Sequence, residues 1–420
     1  MRRIVNRLRK KSYLIVLLIS LGAGILILIS GSSLWHLTSG LFFGSCRGLV
    51  SREIVTNTLS LSLKWTFKAE DPIVSRPTIV DGIVFIKTVS KDCMTNSPRQ
   101  TKLIAVDAVT GKKLWESNFQ GLVQDIVPVA LKGIVANPID NGNALRGINQ
   151  ESGQTVWEFQ LQKYGGPIWG LVRDSEYFYL GTGIDPIQIY AISPKTGQVV
   201  WQKSDGFPIR SRIGILAHLE GVQVLFSDMI FVLDSQTGQL QQQYKANLST
   251  VLERFSSLDN MVYIVPPESI AAVDLNSGET LWTFSPACIK QRSENEGEGA
   301  DLRIGRFFVF PPTPIHNRVF TTGGCHAIFA LNKSTGVKEW EYDNDNVDSI
   351  SQVASMGDVG YVVFSDWSIR AIDLRIGNEL GRMETQSAKA VNWDVNSQGL
   401  GTWKNMLYAT LQGQSLYAFE

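Results

Sequence analysis

A single line of residues recurs along this chain with a period near forty. It is clearest at Ile270–Trp282, where an apolar run leads to Asp274, a polar turn leads to Gly278, and a tryptophan follows four residues later. Six more copies keep the order of apolar run, turn and glycine, at 103–115, 145–157, 189–201, 230–242, 328–340 and 369–381. An eighth apolar run occupies Leu416–Phe419. A repeat of this length with strand-type composition predicts a β-propeller, in which each repeat is one blade.

Each part of the repeat has a physical reason. The apolar runs are rich in β-branched and aromatic residues, which suit a strand in a packed sheet. The glycine supplies the positive φ that a tight hairpin needs, and the ring of the following tryptophan can fill the gap between neighbouring blades. These structural residues are Gly111, Gly153, Gly197, Gly238, Gly278, Gly336, Gly377, Trp65, Trp115, Trp157, Trp201, Trp282 and Trp340. Two copies have Gln242 and Gly381 in place of the tryptophan, so we expect looser junctions there.

The repeat resembles the pyrroloquinoline-quinone-type (PQQ-like) propeller repeat, whose core reads Ala-x-Asp-x-x-Thr-Gly-x-x-x-Trp. The resemblance covers residues 61–420, and seven near-complete copies agree with it in order and spacing. It implies a propeller fold. It does not imply one function, because many proteins with this repeat bind no quinone and catalyse nothing.

The strand that the last repeat lacks stands at the start of the repeat region. The run at 416–419 is followed by no turn and no tryptophan strand, whereas Leu63–Phe67 has the composition of a tryptophan strand. Pairing 63–67 with 416–419 closes the ring and leaves no open sheet edge. The predicted fold class is therefore all-β: an eight-bladed β-propeller of four-stranded antiparallel blades, preceded by one N-terminal transmembrane helix.

Each blade is read as four strands, A to D. An Asp-Gly pair between apolar runs, as at Asp81-Gly82, is a strong signal for an A–B hairpin. The A–B and C–D turns are short and share one face, so the long segments at 90–102, 137–144, 285–306 and 342–349 fall on the other face. Long loops on a rigid scaffold are where binding usually resides.

The carboxylates of two of these loops, in adjacent blades, predict an acidic binding face. They are Glu294, Glu296, Glu298, Asp301, Asp343, Asp345 and Asp348. Two alternatives stay open for them: a solvated loop, or a site for a cation or a basic partner. Cys288 and Cys325 fall on the same face, where they would form a disulfide if the propeller is exported or remain a pair of free thiols.

The N-terminus has the pattern of a membrane anchor. Six basic residues occur in the first eleven, and no charged residue lies between Ser12 and Cys46. A stretch of this length spans a bilayer as a helix, and the basic block holds the N-terminus inside. We predict a basic cytoplasmic segment at 1–12, a transmembrane signal anchor at 13–31, a juxtamembrane stalk at 32–60 and an extracytoplasmic propeller. A cleaved signal peptide, or a lipoprotein modified at Cys46, are the alternatives.

Signatures of catalysis are absent from the sequence. There is no His-Glu-x-x-His, no phosphate-binding glycine loop and no Gly-x-Ser-x-Gly. The formal net charge of zero, with no basic patch in the propeller, argues against nucleic-acid binding. Quinone-dependent dehydrogenases of the family typically carry a vicinal cysteine pair, and no two of the four cysteines are adjacent here.

The resemblance therefore points to the non-catalytic branch of the family. In size and blade count the chain is similar to the propeller lipoproteins of the bacterial outer-membrane β-barrel assembly machine. We expect a cofactor-free module of the cell envelope that binds a protein or a polymer. The alternatives are a dehydrogenase that uses PQQ with calcium, and a sensory ectodomain.

Overall fold

The computed structural model describes the repeat region and not the segment before it. The described residues are 53–90, 100–121, 126–161, 166–182, 187–204, 207, 213–218, 221–226, 229–245, 255–266, 269–286, 310–322, 326–343, 349, 351–386, 399–411 and 413–420. The predicted anchor at 13–31 lies outside them. Within these residues, no helix has both the length and the apolar composition needed to span a bilayer.

The regular secondary structure of the described chain is almost wholly β-strand. Two precede the first blade, β1 (Glu53–Asn57) and β2 (Leu63–Lys68). Blade 1 consists of β3 (Thr78–Val80), β4 (Ile83–Val89), β5 (Gln100–Asp107) and β6 (Lys113–Gln120). Blade 2 consists of β7 (Val129–Leu131), β8 (Ile134–Ile139), β9 (Ala144–Asn149) and β10 (Thr155–Gln160), with a 3-10 turn at Asp140–Gly142 between β8 and β9.

Blades 3 to 5 follow the same order. Blade 3 has β11 (Ile168–Arg173), β12 (Phe178–Thr182), β13 (Gln188–Ile192) and β14 (Val199–Lys203). Blade 4 has β15 (Ile213–His218), β16 (Gly221–Phe226), β17 (Met229–Leu233) and β18 (Leu240–Lys245). Blade 5 has β19 (Phe255–Leu258), β20 (Met261–Ile264), β21 (Ile270–Asp274) and β22 (Thr280–Phe284).

Blades 6 to 8 complete the set. Blade 6 has β23 (Thr313–Ile315), β24 (Arg318–Thr321), β25 (Ala327–Asn332) and β26 (Lys338–Asp343). Blade 7 has β27 (Ala354–Met356), β28 (Val359–Val363), β29 (Ile369–Asp373) and β30 (Glu379–Gln386). Blade 8 has β31 (Gly399–Trp403), β32 (Met406–Thr410) and β33 (Ser415–Phe419), and takes its outer strand from the start of the chain.

Each blade is an antiparallel sheet; in blades 1 to 7 the four repeat strands lie in sequence order, and in blade 8 strand β2 takes the outer position. The prediction of eight four-stranded antiparallel blades is confirmed. The predicted closure of the ring, by pairing of 63–67 with 416–419, is also confirmed. Strand β2 pairs with β33, with Leu63 opposite Phe419 and Phe67 opposite Leu416. Backbone hydrogen bonds run in both directions between Ser62 and Glu420, at 2.8 and 3.0 Å.

The core consists of eight apolar clusters, and each joins two neighbouring blades. Side chains alternate along a strand, so one set packs against the preceding blade and the other set against the following blade. In the cluster between blades 8 and 1, Tyr408 and Leu416 pack with Val84, and all three are fully buried. The other seven clusters lie at the remaining blade junctions. A closed ring of this kind leaves no blade without two partners.

The chain just before the ring differs from the sequence interpretation. Residues 53–57 fall in the segment assigned to the stalk, but they form β1 and pair antiparallel with β30, which gives blade 7 a fifth strand. We call residues 53–59 the strap. A Cβ added to Gly381 would lie 2.4 Å from the carbonyl oxygen of Thr58. The strap thus packs against the repeat position that a tryptophan holds in six other blades.

The second junction without a tryptophan is also filled. A Cβ added to Gly278 would lie 2.3 Å from the Cβ of Tyr244, two residues beyond Gln242 on β18. The hydroxyl of Tyr244 donates to the side-chain oxygen of Gln242. We expected looser junctions at Gln242 and Gly381, but another residue fills the place of the missing tryptophan at each one: Tyr244 near Gln242 and Thr58 at Gly381.

Candidate binding face

The two faces of the ring are built differently. On one face, which we call the short-turn face, every C–D turn is a tight loop closed by its glycine. Asp107 accepts hydrogen bonds from the backbone of Val109 at 3.1 Å and of Thr110 at 2.7 Å, and also from the Thr110 hydroxyl. The hydroxyl and backbone donors of Thr110 lower the pKa of Asp107. Asn149, Asp234, Asp274 and Asn332 repeat the arrangement. These five turns therefore share one pattern of internal hydrogen bonds.

The repeat tryptophans lock these turns to the preceding blade. Gly153 has a φ of 72°, and a Cβ there would lie 2.6 Å from the Cδ2 atom of Trp115. The Trp115 indole donates to the carbonyl of Gln150 in the same turn at 2.8 Å. The glycine therefore does two things: it adopts a left-handed conformation and it leaves room for the ring.

The same bond recurs at five other junctions. Indole N–H groups donate to turn carbonyls of the next blade, from Trp65 to Ala108, Trp157 to Pro194, Trp201 to Ser235, Trp282 to Lys333 and Trp340 to Leu374, over 2.8–3.1 Å. The structure places all six tryptophans between blades, where their rings pack and their one polar atom is satisfied.

An aromatic partner for these tryptophans escaped the sequence interpretation. The second strand of most blades carries a Phe or Tyr whose ring lies against the tryptophan, as Phe85 does against Trp115 with centroids 5.8 Å apart. Tyr179, Tyr263, Phe320 and Tyr408 make the same contact. The signal was available, since each aromatic stands three or four residues after the A–B turn.

The opposite face, which we call the variable face, carries the B–C and D–A loops. Of the predicted acidic residues, Asp343 is described, and it is exposed at the end of β26. Glu294, Glu296, Glu298, Asp301, Asp345 and Asp348 lie outside the described residues, as do Cys288 and Cys325. The acidic face and the disulfide therefore stay predictions.

Hydrogen bonds on this face join loops of blades that are far apart in sequence. Arg76, in the loop before blade 1, donates from Nη1 to the side-chain oxygen of Gln352, in the loop before blade 7. The Gln352 amide donates to Pro311 at 3.4 Å. The stem of Arg76 passes over Gly399, where a Cβ would lie 2.5 Å from its Cγ. The loops before blades 6, 7 and 1 are thus tied together across blade 8.

A partly buried ionic network that includes Tyr342, the residue before Asp343, lies between blades 6 and 7. Arg370 on β29 is only 5% exposed. Its guanidinium donates to Asp366 at 2.8 Å, to Ser368 at 3.1 Å and to the Tyr342 hydroxyl at 3.1 Å. It also stacks over the Phe364 ring, 4.5 Å from the centroid. Each of the three guanidinium nitrogens therefore donates one hydrogen bond, which offsets part of the cost of burying the charge.

Glu379 extends this network to the surface of blade 7. It accepts from Arg382 at 2.6 and 2.8 Å and from the Tyr342 hydroxyl. Burial raises the pKa of Glu379, but the Arg382 and Tyr342 hydrogen bonds outweigh burial and lower it overall. Burial and the bond to Glu379 raise the pKa of Tyr342 to about 12. At neutral pH Glu379 is ionised and Tyr342 is protonated, so the Tyr342 hydroxyl of blade 6 hydrogen-bonds the Glu379 carboxylate of blade 7.

The described residues do not form a metal centre. No group of three or more His, Cys, Asp or Glu side chains in the described ranges is placed to hold an ion. What the described geometry offers is a closed ring with short, internally hydrogen-bonded turns on one face and loops of varied length on the other.

Comparison with known proteins supports this description. The family model described as "Outer membrane protein assembly factor BamB" matches residues 49–284 and 266–420. A search of curated protein sequences finds no match. Among solved structures, BamB from Moraxella catarrhalis is similar at 15% identity and a TM-score of 0.58, covering 86% of this chain and 99% of that one.

Two other solved structures are similar to the same degree. The computationally designed Ika8 protein is 14% identical with a TM-score of 0.60, covering 84% of this chain and 98% of its own. A europium-containing methanol dehydrogenase is 11% identical with a TM-score of 0.59, covering 88% of this chain and 95% of its own. Identities this low establish the shared propeller fold and leave the function to be argued separately.

Proposed function

The chain belongs to the propeller-repeat family described as outer membrane protein assembly factor BamB, and from this premise we propose that it is a non-catalytic protein-binding scaffold of a bacterial cell envelope. The residues at 13–31 anchor it in the cytoplasmic membrane, with the basic N-terminus inside and the propeller outside. The variable face presents its loops to another envelope protein. No cofactor takes part.

The contrast between the two faces carries the proposal. All described C–D turns are short and closed by internal hydrogen bonds, whereas the longest segments between strands connect strand ends on the variable face. The network around Arg370 links blades 6 and 7, and the Arg76–Gln352 hydrogen bond links the loops before blades 1 and 7. A rigid scaffold lowers the ordering cost of binding, which is the condition for a selective docking surface.

Site-specific photocrosslinking in native membranes tests the proposal. A photoreactive residue replaces Asp343 on the variable face of the full-length protein, and in a matched variant it replaces Glu151, which is exposed on the short-turn face. We expect a discrete crosslinked envelope protein from position 343 and none from position 151. Equal crosslinking from both positions, or none from 343 and neighbouring variable-face positions, would contradict the docking role of this face.

The enzyme alternative is favoured by one observation, the fold shared with the europium-containing methanol dehydrogenase. It is tested separately by adding quinone and calcium to the purified protein and following dye reduction with alcohols and aldoses as donors. The scaffold function predicts no reduction above a quinone-only control. Reproducible, protein-dependent turnover would replace the scaffold proposal with a dehydrogenase.

A further inference from the structure

The outer edge of blade 7 differs from the edges of the other seven blades. In the described part of the chain, the strap adds a fifth strand to β30, and the outer strands of the other seven blades carry no such addition. An outer edge strand has unpaired N–H and C=O groups that can accept another strand. Blade 7 therefore shows directly what its edge can bind: an extended segment in antiparallel register.

The edge is shaped for the strap at one position. The Thr58 N–H donates to the Arg382 carbonyl at 2.8 Å, and the Arg382 N–H donates to the Thr58 hydroxyl at 2.9 Å. The neighbouring Gly381 allows this approach, because a Cβ there would lie 2.4 Å from the Thr58 carbonyl oxygen. No real Cβ contact is that short, so a side chain at 381 would displace the strap.

Two apolar side chains anchor the segment. Leu59 is 7% exposed and packs in the cluster between blades 7 and 8, which includes Met383 and Leu407. Ile54 is half-buried against the same cluster. Asn57 bends the chain between them, since its side chain accepts from the Leu59 N–H at 3.0 Å and donates to the Leu61 carbonyl at 2.9 Å. The recognition elements are thus an aliphatic residue, a Thr-Leu pair and an extended backbone.

The ring does not depend on the strap for closure. Closure rests on the β2–β33 pairing and on the bonds between Ser62 and Glu420, all of which follow the strap in sequence. Four residues of the strap have partners in the ladder with β30, and the register shifts between Ile54 and Thr56. A short strand at the edge of a sheet opens locally at a lower free energy than the central strands of the fold.

We propose that the outer edge of blade 7 is a strand-acceptor site, which the chain's own residues 53–59 occupy and which accepts an extended strand of a partner protein when the strap opens. The inference rests on the proposed protein-binding function and names a second surface for it. Recognition is by strand addition: main-chain hydrogen bonds to β30 provide affinity, and the apolar cluster that holds Leu59 provides selectivity.

The test uses the full-length protein and a fluorescent peptide of residues 51–60. The double substitution Thr58→Pro with Leu59→Ser damages the strap and leaves the acceptor edge intact, because proline removes the donor to Arg382. We expect the peptide to bind this variant, measured by fluorescence anisotropy. Binding to the wild-type protein should be roughly a hundredfold weaker if the strap is closed about 99% of the time.

A blocked acceptor provides the matched control. Adding Gly381→Val to the double variant places a side chain where the peptide carbonyl must lie, and the peptide should no longer bind. Hydrogen exchange should show faster exchange in 53–59 and β30 of the double variant, with β33 still protected. Leu59→Ser alone provides a milder version if the double variant does not fold.

Two results would overturn the inference. The first is that the peptide does not bind to a variant in which hydrogen exchange shows the strap to be released. The second is a strap that exchanges only together with β2 and β33, since it would then not open separately. Photocrosslinking from Asp343 probes the variable face and not the outer edge of blade 7, and it uses an independent readout, so failure of the scaffold function and failure of the strand-acceptor site are distinguishable.

Discussion

Substituting alanine for Gly153 tests whether the contact between turn glycine and tryptophan stabilises the ring. The glycine has a φ of 72°, and its added Cβ would lie 2.6 Å from Trp115, which is 8% exposed. Gly133, in the A–B turn of the same blade, is the matched control. It has a φ of 76°, and an added Cβ would meet no atom within 4 Å.

The two substitutions share one cost and differ in another. Placing alanine in a left-handed conformation costs about 1–2 kcal/mol at either site. The lower entropy of the unfolded chain offsets about 0.4–1 kcal/mol of this at either site. Gly153→Ala also forces the Trp115 ring to move, and overpacking of this kind costs about 1–3 kcal/mol. The shared terms cancel in the difference, so Gly153→Ala should be about 1–3 kcal/mol more destabilising than Gly133→Ala.

Equilibrium urea unfolding of the full-length protein in mild detergent measures both values, with far-UV circular dichroism and tryptophan fluorescence as paired probes. Coincident transitions by the two probes are needed before a free energy is assigned. In a Trp115→Ala background the extra cost of Gly153→Ala should disappear. Equal effects of the two glycine substitutions, or an extra cost that persists without the ring, would refute the packing argument.

Three further outcomes are expected. Deleting residues 1–60 should leave a folded propeller with a lower melting temperature, because the buried Leu59 is lost. Deleting residues 1–70 also removes β2 and should give aggregates on size-exclusion chromatography. Equal melting temperatures of the two forms would contradict the observed closure. Hydrogen bonds from the Arg375 side chain and backbone lower the pKa of Asp373 to about 2 from 3.8. The contribution of Asp373 to stability is therefore complete above pH 3.8 and is lost as the pH falls through about 2. Asp373→Asn should flatten the acid side of the stability–pH curve, and an unchanged curve would count against the ion pair. A reporter active only in the cytoplasm, fused after Glu420, should be inactive, and a positive signal would refute the proposed orientation.

Short-range patterns in the sequence predicted the repeating part of the fold. The line from apolar run to glycine to tryptophan spans thirteen residues, and its chemistry is local: a strand, a turn with positive φ and the start of the next strand. Repetition of that unit, together with Leu63–Phe67 lacking a preceding turn, was sufficient to predict eight blades and the closure. Local rules suffice there because each blade pairs strands that are adjacent in sequence.

The candidate site was less accessible from the sequence. The Arg370 network joins Tyr342 of one blade to Glu379 of the next, and the hydrogen bond from Arg76 to Gln352 joins residues 276 positions apart. No periodicity marks such pairs, because the repeat dictates where a strand lies and not which polar side chains meet across a junction. The acidic loop residues were found by composition alone, and composition carries no geometry.

By itself the sequence determined the blade, the number of blades and the place where the ring closes, since each follows from residues within one repeat or at the two ends of the repeat region. Only the tertiary structure decided how exceptions to the repeat are accommodated. Gly381 reads as a missing tryptophan in the sequence, yet in space it receives the Thr58 carbonyl from a segment more than 300 residues away. Likewise Tyr244 replaces the contact missing at Gln242. Packing requires that a junction be filled, but it leaves open which residue fills it, and only the arrangement of the whole ring answers that.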